Sequence, residues 1–259
     1  MSQRTHTYFL SDFHLGIPNR EASLQREKQV IAFLESIAPH AQAIYLMGDV
    51  FDFWFEYKSV VPRNFTRLLG TLAKLTDSGI PVHFFKGNHD MWTFGYLEEE
   101  LGIQVHSDTF VTEIAGKRFF LAHGDGKGPG DFGFKRLKKV FRHPLNQWLF
   151  ARLHPNLAFA MAKNWSYKSR VAGQAEGDFE REREWLYQYC LHKLEREHYD
   201  YFVFGHRHLP ICTPVGERSL YINLGDWIVY NTYAVFDGET LDLRTYPDNQ
   251  PAGFGRQGR

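Results

Sequence analysis

Two patterns of apolar residues alternate along the chain. Short apolar runs, most of them closed by Gly, Asp, Asn or His, predict strands at His6–Leu10, Ala43–Met47, Val82–Phe85, Thr109–Ile114, Arg118–Ala122 and Tyr201–Phe204. Longer segments with apolar residues every third or fourth position predict helices at Glu21–Ala38, Arg63–Ser78 and Phe179–Glu197. Asp77-Ser78-Gly79 with Pro81 beyond it stops the second helix, because Gly accepts a left-handed cap and Pro cannot continue a helix. Short strands follow at Ser219–Asn223, Tyr233–Phe236 and Leu241–Thr245. Strands alternating with helices mark an α/β fold.

Residues 132–172 interrupt this alternation. They read as about three helices broken at Pro144 and Pro155, with Phe134, Leu137 and Phe141 at helical spacing and Leu145, Trp148, Leu149 and Arg152 likewise. The segment is expected to be a helical cap inserted into one domain spanning residues 1–259. Charge sharpens this view. The chain carries 30 Lys+Arg and 30 Asp+Glu. From Phe132 to Ala175 there is no Asp or Glu but nine basic residues, which leaves 21 basic against 30 acidic elsewhere. A segment at +9 within a body at −9 suggests an anionic partner: phosphate, nucleic acid or a membrane surface. A solvated helical face accounts for the charge alone equally well. The interleaved aromatic and aliphatic residues add the option of lying on a lipid interface or covering a lipid chain.

Two cysteines, Cys190 and Cys212, exclude a disulfide scaffold and a four-cysteine zinc site, and suit a reducing compartment. The N-terminus turns polar at Ser11-Asp12, and the run LAFAMA at 157–162 is far short of the roughly 20 residues that span a bilayer. A cytoplasmic protein is therefore expected, neither secreted nor membrane-spanning.

The strand ends carry the chemistry. They read Asp12-Phe13-His14, Gly48-Asp49-Val50-Phe51-Asp52, Gly87-Asn88-His89-Asp90, His123-Gly124-Asp125 and Gly205-His206-Arg207-His208. In open α/β sheets, ligands bind beyond the carboxyl ends of the strands. Asp-x-His on an extended segment would point both side chains the same way, and His206 and His208 share that spacing. Two such pairs, with a further Asp and an Asn, offer imidazole and carboxylate donors for two transition-metal ions, the arrangement that clamps an in-line displacement at phosphorus. One such fragment is weak, since GD and GN are common turn signals. Five in order, each after an apolar run, are not a coincidence. His6, His40, His83, His106, His143, His154, His192 and His198 lack this context and read as surface or packing residues.

Taken together, these five motifs resemble those of the calcineurin-like metallophosphoesterases. The resemblance implies a four-layer α/β sandwich, two mixed β-sheets flanked by helices, with a dimetal site at the strand ends. It assigns Asp12, His14, Asp49 and His208 to one ion and Asp49, Asn88, His123 and His206 to the other. It places His89 beside the phosphate as proton donor or charge stabiliser, with Asp52 orienting it. Mn2+ is the expected ion, with Fe, Co and Zn also compatible with these donors.

Within that family the chain is most similar to the UDP-2,3-diacylglucosamine pyrophosphohydrolases, through Gly-Asp-Val-Phe-Asp-Phe-Trp at 48–54, the helical insert directly after His-Gly-Asp, Asp131-Phe132-Gly133-Phe134, and Pro144-Leu145 with Gln147, Leu149 and Phe150. Asp131, Ser166 and Arg170 fall where those enzymes place polar substrate contacts. The implied reaction cuts a pyrophosphate to UMP and 2,3-diacylglucosamine 1-phosphate, on a lipid-linked nucleotide sugar at the inner face of the cytoplasmic membrane. Those enzymes generally read Gly-Asn-Arg-Asp, where this chain has His89. A generic phosphodiesterase or phosphatase acting on nucleotides or proteins is the alternative. A nuclease would use the basic segment, but overall neutrality and the lack of a long basic tail argue against nucleic acid. No protein partner is expected.

Overall fold

The computed structural model describes residues 4–128, 132–173 and 179–253; of 132, 134, 163, 165 and 167–173 it describes the backbone alone. Six strands form one mixed sheet in the order β11 (Leu241–Thr245), β10 (Thr232–Phe236), β1 (His6–Leu10), β2 (Ala41–Leu46), β3 (Val82–Phe85), β4 (Gln104–His106). Five form a second: β5 (Phe110–Ile114), β6 (Lys117–Leu121), β7 (Tyr201–Phe204), β9 (Ser219–Leu224), β8 (Pro210–Val215). β1, β2, β3 and β4 run parallel, as do β6, β7 and β9, and antiparallel strands complete both sheets.

The central strands β1, β2, β3 and β7 are mostly apolar because both their faces are covered. Alternate residues of each strand go to different cores. Tyr8 and Leu10, Ile44 and Leu46, and Val82 and Phe84 face α1 (Arg20–Ile37) and α2 (Thr66–Asp77), whereas Phe9, Tyr45 and Phe85 point at the second sheet. That sheet answers with Phe119, Leu121, Val203, Ile222 and Leu224, and sends Phe120, Phe202, Phe204 and Tyr221 outward to α7 (Trp185–Leu194). Helix, sheet, sheet, helix is thus the layer order, and the expected sandwich is observed. Phe9 stacks between Tyr45 and Phe119, centroids 5.0 and 5.7 Å away, at the heart of the inner layer.

Three elements were not anticipated. β4 and α3 (Tyr96–Leu101) are three and six residues long, and β8 contains Pro210 and Pro214. β8 is an edge strand, where a missing N–H costs nothing in the ladder. α7 starts at Trp185, not at Phe179 as expected.

Residues 132–173 form α4 (Phe132–Arg142), α5 (Pro144–Phe150) and α6 (Pro155–Gly173), with breaks before Pro144 and Pro155, each of which stands in the first turn of a helix. Trp92 Nε1 donates to Phe141 O at 2.9 Å, and Arg142 donates to Ser107 O at 2.8 Å. Phe150 packs on Phe55 and Trp92, and Phe159 meets Phe53 edge-on at 5.1 Å. Val140, Leu145, Trp148, Leu149, Leu157 and Met161 are left about half exposed on the cap's outer surface. Cys190 and Cys212 are buried free thiols. Among the described residues, no helix is long and apolar enough to cross a membrane.

Candidate active site

The loops after β1, β2, β3, β6 and β7 meet where the two sheets adjoin. Main-chain bonds lock them together: Asp12 N to Gly48 O, His14 N to Asp49 O, and Gly205 N to His123 O, each 2.9–3.1 Å. Asp12 Oδ2 accepts the His206 N–H at 2.9 Å and so ties the first sheet's loop to the second's. Glycine is needed where these loops touch. A Cβ on Gly48, whose φ is +98°, would lie 2.5 Å from His123 Nδ1, and one on Gly205 would collide with Ser11 and Asp12.

The Asp-x-His pairs differ from the expectation in one respect. They are not extended. Asp12, His14, Asp49, His206 and His208 all have positive φ, at 56°, 42°, 50°, 71° and 53°. Each strand has already ended, and a sharp left-handed turn aims the side chain into the site.

Three donor groups result: Asp12 with His14 and His208, His14 with Asp49 and His89, and Asp49 with His123 and His206. Asn88 joins the last, its Oδ1 3.2 Å from His123 Nε2. All seven donors expected from the sequence are therefore brought together. Asp49 Oδ2 sits 3.6 Å from His14 Nε2 and 3.3 Å from His123 Nε2.

The arrangement fits a cation. His208 Nδ1 lies 3.3 Å from the Asp226 carboxylate, which places that ring's hydrogen on Nδ1, and His14 Nδ1 lies 3.4 Å from the Asp52 carboxylate without hydrogen-bond geometry. The Nε2 atoms of the two rings face each other at 3.1 Å, beside an Asp12 Oδ1 that is buried without a hydrogen-bond partner. Two ring nitrogens and an orphan carboxylate oxygen converging on one point suit a cation between them. On the other side, His123 Nδ1 is 2.8 Å from Met47 O and so donates to it, freeing Nε2 toward Asp49.

Electrostatics agree. Burial alone would lower the pKa values of His14 and His123, yet the surrounding carboxylates, Asp12, Asp52 and Asp49 for His14 and chiefly Asp49 for His123, raise both to about 10. Burial opposes ionisation of Asp12, but His208, His14 and His123 hold it down at about 2; Asp49 is likewise held well below the usual carboxylate range. Protons on two imidazoles here answer a demand that divalent ions would meet. His206 is pushed down to about 4 by burial and by the charge of His123, and burial lowers His89.

His89 hydrogen-bonds differently from the expectation. Its Nδ1 is 2.9 Å from the main-chain oxygen of Asp52, and the Asp52 carboxylate is 3.8 Å away. That carboxylate instead accepts the hydroxyl of Ser166, 3.0 Å from each oxygen. Ser166 was expected to be a substrate contact; it is buried against the site wall. Arg170 lies on α6 with its side chain outside the described residues, and Asp131 lies outside them altogether.

Supporting residues were missed in the sequence. Arg26, buried on α1, donates to the carbonyls of Phe13, His14 and Ile17 and fixes the first loop. Its signal was available, since it falls in phase with Val30, Phe33 and Ile37 on the buried face. Arg207 pairs with Glu184 at 3.0 Å and pins the last loop to the start of α7. Asp226 receives the N–H groups of Ile228, Val229 and Tyr230 on one oxygen and faces His208 with the other.

A family model described as "Calcineurin-like phosphoesterase" matches residues 5–210. The chain belongs to the calcineurin-like phosphoesterase family. A protein named UDP-2,3-diacylglucosamine hydrolase from Porphyromonas gingivalis is 41% identical, aligned over 95% of this chain and 99% of its own. One of the same name from Aeromonas salmonicida is 30% identical over 95% of this chain and 96% of its own. Among solved structures, vacuolar protein sorting 29 from Cryptosporidium parvum aligns with a TM-score of 0.44 and 13% identity, covering 96% of this chain and 95% of that one.

Proposed function

We propose that the chain hydrolyses the pyrophosphate bond of UDP-2,3-diacylglucosamine to UMP and 2,3-diacylglucosamine 1-phosphate, using two divalent ions, with Mn2+ as the working metal. The observation that carries this reading is a shared-carboxylate donor set beneath a cap that is basic and carries unpaired apolar side chains. The two relatives named above bear the name of that activity. Asp12, His14, Asp49 and His208 would hold one ion, and Asp49, Asn88, His123 and His206 the other. When bound, such a pair neutralises phosphoryl oxygens and activates water for in-line attack. His89, its Nδ1–H fixed on the Asp52 carbonyl, keeps Nε2 for the phosphate or the leaving oxygen. Lys and Arg side chains of the cap suit the phosphates, with Asp131 and Arg170 as polar contacts, and its apolar helices suit acyl chains. The enzyme would work at the cytoplasmic face of the membrane, on substrate drawn from the lipid phase.

One observation favours a second reading. By the resemblance of the motifs, His89 stands where the acyl-sugar enzymes generally carry Arg and where generic phosphoesterases carry His. The two separate on kcat/KM for diacylated against deacylated UDP-sugar. Burying a CH₂ is worth about 0.8 kcal/mol, so loss of even four should cost a factor of about 200. A ratio near one would replace the first reading with the second.

A further inference from the structure

Ser166 belongs to α6 of the cap, yet its hydroxyl is engaged in the wall of the site. Oγ lies 3.0 Å from both oxygens of the Asp52 carboxylate and 3.4 Å from His89 Nδ1, and the side chain is buried. Asp52 is buried as well, and its Oδ1 is 3.4 Å from His14 Nδ1. One carboxylate thus faces the ring of a candidate ligand on one side and a cap hydroxyl on the other, while the main-chain oxygen of the same residue takes His89 Nδ1. With its proton donated to Asp52, the Ser166 oxygen turns a lone pair toward His89 Nδ1–H, a second acceptor behind the Asp52 carbonyl.

We infer that Ser166 is a positioning residue: it latches the cap to the Asp52–His89 pair, so that cap closure and the orientation of His89 are one event. This rests on the dimetal hydrolase reading but not on the acyl-sugar substrate. A hydroxyl whose proton lies between two carboxylate oxygens has no proton left to donate to a ligand, and its removal takes one hydrogen bond from a buried charged acceptor. Trp92 to Phe141, Arg142 to Ser107 and Lys138 to Asp125 also join the cap to the body, but none of these three bonds is made to Asp52 or His89.

The test uses Ser166→Ala, Ser166→Thr, Asp52→Asn and the Ser166→Ala/Asp52→Asn pair, each in Mn2+-loaded full-length protein, with bis(p-nitrophenyl) phosphate as a probe too small to need the cap. Removing a hydrogen bond to a charged group should lower kcat on this ester about tenfold, with KM and metal content unchanged. Ser166→Thr should restore most of the loss. In the Asp52→Asn background, Ser166→Ala should add little, because the two act as a unit. Independently of turnover, amide exchange over residues 155–173 of the metal-free protein should quicken about tenfold in Ser166→Ala. A wild-type kcat on the small ester, with a raised KM for UDP-2,3-diacylglucosamine alone, would overturn the latch and make Ser166 a plain substrate contact. Unchanged exchange would overturn it too. If the wild type cleaves the small ester but not the lipid-linked sugar, the substrate reading fails, and the latch is still decided by the ester.

Discussion

Asp49 faces both halves of the site, with Oδ2 near His14 and His123 and Oδ1 accepting the His89 N–H at 2.9 Å. Asp49→Ala should therefore be the most damaging single exchange. We expect the bound-metal count, measured by elemental analysis after gel filtration, to fall by at least one ion, and turnover to drop by about 10³-fold or more. Full metal content with intact turnover would remove Asp49 from its assigned place. At this scale the sequence was informative where chemistry sits directly after a strand. The seven donors stand out because an apolar run delivers each one. Asp226 and Glu184 do not, because His208 and Arg207 reach them from separate elements that only the fold brings together, and Arg26 shows only as a charged residue in phase with the buried face of its helix. Ser166 was noticed through resemblance alone, and its partner Asp52 lies 114 residues away.

Strands buried on both faces were readable because their residues are mostly apolar. β8 was not, since its prolines argue against a strand unless its edge position is known, and β4 and α3 are too short for any periodicity to show. The β3–β4 edge carries a histidine pair with a consequence for stability. His83 Nδ1 and His106 Nε2 are 3.0 Å apart, and the His83 ring stacks on Tyr45 at 4.2 Å. Burial and the neighbouring His106 lower His83 to about 4, and burial lowers His106. In the unfolded chain His83 titrates near 6.5. The fold thus prefers the neutral ring, so this part of stability is complete above about pH 6.5 and is lost as pH falls toward 4, because the unfolded chain takes up the proton first. Between pH 7 and pH 5 the loss should be on the order of 1–2 kcal/mol. Denaturant unfolding of His83→Phe should show a smaller decline over that interval than the wild type. An equal decline would place the acid sensitivity elsewhere.

For the whole molecule, net neutrality conceals two opposed fields, and the basic one coincides with the cap. Trp148, half exposed, stacks under the Arg152 guanidinium at 4.6 Å, and Leu145 and Leu149 stand exposed on the same helix. Cation and apolar surface side by side match an anionic bilayer. The proposed membrane contact is checked by vesicle sedimentation. Vesicles containing phosphatidylglycerol should retain the protein at low salt and release it near 0.5 M salt, those of phosphatidylcholine should retain little, and Trp148→Glu should weaken retention about tenfold. Indifference to lipid charge and to this exchange would refute the contact.

The left-handed turns at the strand ends bear on how such a site persists. Five of its seven donors occupy backbone conformations that L-residues with a Cβ adopt at a cost of about 1–2 kcal/mol each, less for Asp than for His. Glycine would relieve that cost at every one of them, and glycine cannot hold a metal. Folding and chemistry therefore pull the same positions in opposite directions. A lineage released from its substrate, or a laboratory library screened only for heat resistance, should shed these residues first and keep the sandwich. A relative that retains all five has been held there by its reaction, against the preference of its own backbone.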